Sequence, residues 1–239
     1  TGIDIVKFKH GNGESFRRAQ GIAPDLPVLL YLGRVVFVKN IEFLLRVVVE
    51  LKQRVPDVCF VVAGEGPARE SLARLAKRLG LENNTLFVGN LDRGGAIQDC
   101  YRAANAFIFA SRTETQGLVL LEAMAAGVPI VSTAVMGTKE VLSDGQGCVI
   151  AKEYIADFSD KVWSVLTDAR LRQRLGETAP GYVAKWSQER FGSRLVDFYR
   201  ETLDIHRGQR KPGAHKVHVD NRRHSVAVKR EEQEIGTQH

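Results

Sequence analysis

Four short segments of this 239-residue chain hold the side chains best suited to chemistry, and each one closes an apolar run. Gly33-Arg34, with Lys39 five residues later, follows Val28–Leu32; Gly64-Glu65-Gly66-Pro67 follows Val58–Ala63. Gly89-Asn90-Leu91 comes after Thr85–Val88. Ser111-Arg112-Thr113-Glu114-Thr115-Gln116-Gly117 comes after Ala106–Ala110 and feeds a helical stretch that carries Glu122. Arg34 offers a planar fork of donors and Lys39 a mobile point charge, a combination that matches a diphosphate. A helix beginning near Gly117 would aim backbone N–H groups and its positive dipole end at the same place. Gly33, Gly64 and Gly66 would let ligand and backbone approach closely. Glu114 and Glu122 are carboxylates, able to accept hydrogen bonds from the adjacent hydroxyls of a sugar and a ribose. Together these groups suit a nucleoside diphosphate joined to a sugar.

Each group also has a plainer explanation. Arg and Lys near a helix start are commonly solvated, and Gly64-Glu65-Gly66-Pro67 can be a tight turn and nothing more. The Glu-x7-Glu spacing recurs at Glu42 and Glu50. That pair lies within one amphipathic stretch, where both read as solvated with Arg46 as an i,i+4 partner. Context separates Glu114 and Glu122 from it. One lies in a polar loop at the end of an apolar run, the other on the helix that the loop enters.

These segments need elements to hold them. Two further apolar runs, Pro129–Ser132 and Gly147–Ile150, make six, several of them apolar at nearly every residue, as in strands covered on both faces. Between them the spacing predicts a helix from Ile41 to about Val55, capped by Asn40. Another has Pro67 in its first turn and runs through Leu79 to a stop at Gly80. Ala96–Ala104 and Gly117–Ala126 follow, the latter ended by Gly127-Val128-Pro129. Such alternation calls for an α/β fold, a Rossmann-like doubly wound parallel sheet with right-handed crossovers. After Ile150 only helices are expected, about Ala156–Thr167, Ala169–Lys185 and Gln188–Ile205, covering the sheet. The organisation read from this is a linker and domain start over 1–27, a Rossmann-like body over 28–205, and a basic disordered tail over 206–239. In an open parallel sheet ligands bind beyond the carboxyl ends of the strands, so the four segments converge on one edge.

Composition narrows the function classes. The net charge is +6, but residues 206–239 hold 8 Lys and Arg against 4 Asp and Glu, leaving 26 against 24 in the body. A basic tail on a near-neutral body, without an aromatic platform, argues against a nucleic-acid partner. Cys59, Cys100 and Cys148 are odd in number and far apart, and read as small buried hydrophobes in a reducing cytoplasm. Five of the six His lie in 206–239, so no metal cluster and no cofactor is expected. No apolar stretch approaches the roughly 20 residues of a membrane span. Thr1-Gly2-Ile3-Asp4 is no signal peptide and reads as a chain entered midway.

Gly33-Arg34 with Lys39, Gly64-Glu65-Gly66-Pro67, Gly89-Asn90 and above all the run from Ser111 to Pro129 resemble the group-1 glycosyltransferases, the retaining family-4 type of the GT-B fold. The resemblance covers about residues 1–205, and Thr1-Gly2-Ile3-Asp4 is similar to the segment that joins the two domains in that family. It implies the C-terminal, donor-binding half of an enzyme moving a hexose from a UDP-sugar or other NDP-sugar to an acceptor, a lipid among the candidates. It implies further that Glu114 contacts the sugar hydroxyls, Arg34 and Lys39 hold the diphosphate with N–H groups at Gln116, Gly117 and Leu118, Glu122 takes the ribose, and backbone near Leu91 meets the base. Thr113-Glu114-Thr115-Gln116-Gly117 also resembles bacterial diacylglycerol glucosyltransferases, over only a few residues. Two departures stand out. Val35-Val36-Phe37-Val38 is more apolar than the family's usual sequence, and the resemblance implies an N-terminal acceptor domain, through which any contact with an inner membrane face would be made, that residues 1–239 do not include. A non-catalytic nucleotide-sugar-binding module is the alternative reading.

Overall fold

The computed structural model describes residues 2–92 and 94–206. The basic tail expected over 206–239 therefore falls, apart from His206, outside the described residues. The six apolar runs form β1 (Val28–Leu32), β2 (Cys59–Ala63), β3 (Thr85–Gly89), β4 (Ala106–Phe109), β5 (Ile130–Ser132) and β6 (Cys148–Ile150). They pair in parallel in the order β3-β2-β1-β4-β5-β6. The order reverses between β1 and β4, which lie side by side although β2 and β3 separate them in sequence. That is the switch point at which a doubly wound sheet leaves a crevice. β1 and β4 are fully buried apart from Leu32, which explains their continuous apolar character.

Ten helices occur among the described residues: α1 (Ile5–Phe8), α2 (Gly13–Ala19), α3 (Ile41–Lys52), α4 (Arg69–Arg78), α5 (Ala96–Ala103), α6 (Leu118–Ala125), α7 (Thr138–Val141), α8 (Ile155–Thr167), α9 (Ala169–Val183) and α10 (Gln188–His206). The apolar stripe of α3 (Ile41, Leu44, Leu45, Val47, Val48, Leu51) is buried, and α3 packs against α4 and α8. α5 and α6 receive α2 and α1, and α9 packs on α6. Of the helices expected to cover the sheet, α8 and α9 bury apolar faces, whereas α10 is exposed from Gly192 to Ile205.

Several local expectations change. Asn40 does not cap α3 with its side chain. It adopts a left-handed conformation (φ 57°) after a 3-10 turn over Phe37–Lys39, and its Nδ2 donates to Glu153 Oε1 at 3.0 Å. Asn tolerates this region better than most residues, and the reversal it allows separates the turn carrying Lys39 from α3. Pro67 lies in a turn ahead of α4, not in its first turn, because the backbone there closes on Val35 (Ala68 N–H to Val35 O, 3.1 Å). α7 had no distinct sequence signal. Residues 2–27 hold α1 and α2 with Phe8 and Phe16 buried, and Ile3 bridges in parallel to Ser187. Arg17 fastens this segment by donating to the carbonyls of Ala23, Pro24, Leu26 and Ala103 and to Asn105 Oδ1. Cys100 and Cys148 are buried and Cys59 half-buried, all three as free thiols.

Candidate functional site

The carboxyl ends of β1 and β4 open into a cleft of about 380 Å³. Gly33, Arg34, Lys39, Glu114, Leu118 and Glu122 line it, so six of the residues singled out from sequence meet there. A second lobe of about 250 Å³ shares Gly33 and Arg34 with the first and extends to Gly64, Asn90 and Leu91. The cleft thus runs across the ends of four strands, from β3 to β4.

Within it, Lys39 Nζ donates to Glu114 Oε2 at 2.7 Å, with both side chains mostly buried (17% and 16% exposed). Glu114 Oε1 accepts the backbone N–H groups of Thr115 (3.2 Å), Gln116 (3.4 Å) and Gly117 (3.2 Å). Lys39 and the N–H groups of Gln116 and Gly117 are expected to face a diphosphate; in the structure the carboxylate of Glu114 engages all three. The reason is electrostatic. A half-buried carboxylate beside a cation and a helix N-terminus is stabilised by both. Burial alone would raise the Glu114 pKa, but the hydrogen bond from Lys39, the N–H groups of Gly117 and Gln116 and the Lys39 charge outweigh it, holding the carboxyl below its ordinary range. The loop bearing Glu114 is itself held from behind, since Gly137 N–H donates to Glu114 O at 3.0 Å. Gly117, at φ 63°, is the N-cap of α6.

Arg34 is exposed at the cleft, and its guanidinium has no ion-pair partner among the described residues. Its backbone carbonyl is fixed by Tyr31 Oη at 2.9 Å. Gly64 and Gly66 serve a different contact from the one expected. A Cβ on Gly64 (φ 127°) would collide with the Gly33 carbonyl, and one on Gly66 with the Val35 carbonyl. Their missing side chains let two strand-end loops close on each other, so the close approach is backbone to backbone.

Glu122 faces the cleft from α6, and its Oε2 accepts from Tyr101 Oη at 2.9 Å. Tyr31, Tyr101 and Phe109 take part in the site without having been expected there, as do Lys7 and Phe8, which line the cleft from the N-terminal segment. Tyr31 carried a usable signal, since it sets one polar atom in the otherwise apolar stretch Val28–Leu32 and a buried phenol seeks a partner; Tyr101, among Gln98, Asp99 and Arg102, carried none. Burial and the neighbouring carboxylates (Glu114 for Tyr31, Glu122 for Tyr101) push both phenols above their ordinary pKa, so both remain donors. Lys7 and Phe8 carried none, because their placement depends on where α1 docks. Among the described residues no group of three or more His, Cys, Asp or Glu is gathered as a metal site. None of the described helices is long and apolar enough to cross a membrane.

Residues 12–181 match the family described as "Glycosyl transferases group 1". The chain belongs to this family. It is 33% identical, over 215 residues, to a D-inositol 3-phosphate glycosyltransferase of Kribbella flavida, which covers 85% of this chain and 50% of that protein. The chain therefore spans about half the length of the curated relatives it matches. Among solved structures, HepE of Anabaena in complex with UDP superposes with a TM-score of 0.77 at 19% identity, covering 84% of this chain and 56% of that one. The C-terminal domain of a group 1 glycosyl transferase, LpcC of Francisella tularensis, superposes with a TM-score of 0.68 at 23% identity, covering 78% of this chain and 100% of that one. The fold of this group 1 glycosyltransferase chain is thus that of a GT-B C-terminal domain, a parallel α/β sheet flanked by helices.

Proposed function

We propose that this chain is the donor half of a retaining glycosyltransferase, binding a UDP-hexose in the cleft for transfer to an acceptor held by another domain. The observation that supports this best is the meeting of Arg34, Lys39, Glu114 and Glu122 around one cleft at the switch point, two cations and two carboxylates from two strand-end loops and a helix. In this reading Arg34 and Lys39 face the diphosphate. Lys39 Nζ carries three donors, so one can stay on Glu114 while others reach a phosphate oxygen. Glu114 accepts from sugar hydroxyls, Glu122 from the ribose, and the lobe beside Leu91 takes the base. Gln116, Gly117 and Leu118 contribute through the backbone around Glu114 and the start of α6.

The bond from the sugar's anomeric carbon to the diphosphate breaks with its electron pair leaving on the diphosphate, the oxygen of the acceptor hydroxyl takes its place, and the hydroxyl proton passes to the departing diphosphate. Charge then develops on the leaving group, where Arg34 and Lys39 are already held, and preorganised cations of this kind lower the barrier. Closure by an acceptor domain would exclude water and bring the acceptor hydroxyl to the face of the sugar from which the diphosphate departs, so that the configuration is retained. We assign the reaction to the cytoplasm, with any attachment to a membrane face made through the acceptor domain.

Calorimetry of the 239-residue chain with UDP tests the binding claim. Weak but measurable binding is expected, because only one wall of the cleft is present. UDP release from UDP-glucose should be undetectable with the chain alone and appear once an acceptor domain is joined to it. Binding without turnover in the joined protein would favour a non-catalytic module, and no binding at all would overturn the reading.

A further inference from the structure

Tyr101 lies one layer behind the cleft wall and is fully buried on α5. Its hydroxyl is 2.9 Å from Glu122 Oε2 and 3.1 Å from the Val119 carbonyl. The hydroxyl has a single hydrogen, and an ionised carboxylate is the stronger acceptor of the two. The ring cannot swing away. Phe8 packs edge-on against it (5.9 Å between centroids, 78°), and Phe107 packs on it at 5.8 Å and 40°. Phe8, Val119 and Glu122 all line the cleft, so the phenol braces the wall at the three places where that wall consists of these residues.

We propose that Tyr101 is a positioning residue for Glu122: by holding Oε2 from behind, it sets the direction in which the carboxylate meets the hydroxyls of a bound ribose. This rests on the reading of Glu122 given above. A phenol needed only to satisfy its own hydrogen would be served by the Val119 carbonyl. The bond to Glu122 adds a restraint on a side chain that must present its acceptors at one angle. Since burial and the Glu122 charge keep the phenol protonated, the restraint persists through the neutral pH range.

The consequence is specific to the sugar of the nucleotide. Tyr101→Phe keeps the ring, its packing and the cleft volume, and removes the hydroxyl alone. It should weaken UDP about three- to tenfold, the worth of one hydrogen bond, and 2′-deoxy-UDP, which keeps only the 3′ hydroxyl for Glu122, by clearly less. Glu122→Ala should weaken UDP at least as much, and adding Tyr101→Phe to it should cost nothing more, because the two act as a unit. Equal losses for UDP and 2′-deoxy-UDP in Tyr101→Phe, or additive losses in the double variant, would overturn the positioning role. If Glu122→Ala itself fails to distinguish the two nucleotides, the assignment of Glu122 to the ribose falls, and the role of Tyr101 falls with it. A measurement on the unaltered chain guards against a variant that does not fold. With tyrosine labelled at Cζ, the Tyr101 resonance should move on titration with UDP and much less with 2′-deoxy-UDP. Equal movement, or none, would overturn the proposal.

Discussion

Lys39 and Glu114, 75 residues apart in sequence, meet at 2.7 Å in the cleft between the ends of β1 and β4. The pair joins the 3-10 turn that follows one strand to the loop that follows the other. It couples the two halves of the switch point through a charge-assisted hydrogen bond, and the acid titration of the fold follows from it.

Because the Glu114 pKa is lowered in the folded chain, its carboxylate contributes stability that is fully present above the ordinary carboxylate pKa and is lost as pH falls through the folded value. In Lys39→Met the Lys39 bond and charge are gone, while the effect of burial, which raises the pKa, remains. The loss should then begin at higher pH. Thermal melts of both proteins from about pH 6 down to about pH 3 would show the displaced midpoint. Superimposable acid limbs would mean that the pair contributes nothing to the fold.

Arg34→Ala should weaken binding of UDP about ten- to a hundredfold, since hydrogen bonds to charged groups are worth about 1.5–3 kcal/mol. Uridine, lacking the diphosphate, should lose far less. Parallel titrations with the two ligands decide this, and equal losses would place the diphosphate elsewhere.

Gly64→Ala introduces a Cβ at φ 127° and against the Gly33 carbonyl, on the loop that carries Arg34. Backbone strain of this kind costs about 1–3 kcal/mol, so chemical denaturation should report a loss of at least that size. UDP binding should fall as well, because Gly33 and Arg34 would have to move. A variant of unchanged stability would show that the two loops do not touch.

Arg17→Met removes a guanidinium that serves four backbone carbonyls and Asn105, tying α2 to the segment before β1 and to the end of α5. The isosteric stem keeps the packing, so the loss of charged hydrogen bonds should destabilise the chain by at least about 1.5 kcal/mol in urea unfolding. A change below about 0.5 kcal/mol would indicate that water replaces the arginine without cost.

Much of this protein was legible along the chain. Apolar runs such as Val28–Leu32 and Ala106–Ala110, alternating with the stripe of α3, determined a parallel α/β sheet, because a strand covered on both faces and a helix covered on one leave different periodicities among neighbouring residues. The placement of Arg34, Lys39, Glu114 and Glu122 after such runs assigned them to one edge of the sheet. The tertiary structure decided the rest. The strand order set β1 beside β4, so that Lys39 found Glu114 and not a separate partner. The docking of α1 brought Lys7 and Phe8 to the cleft, the closure of loop on loop claimed Gly64 and Gly66, and the packing of α5 on α6 set Tyr101 behind Glu122. Each of these depends on pairs of groups far apart in the chain, whose meeting is determined by the packing of whole elements. A residue's sequence neighbours fix its local conformation, but only the assembled sheet and its helices bring it to the atoms it will bond.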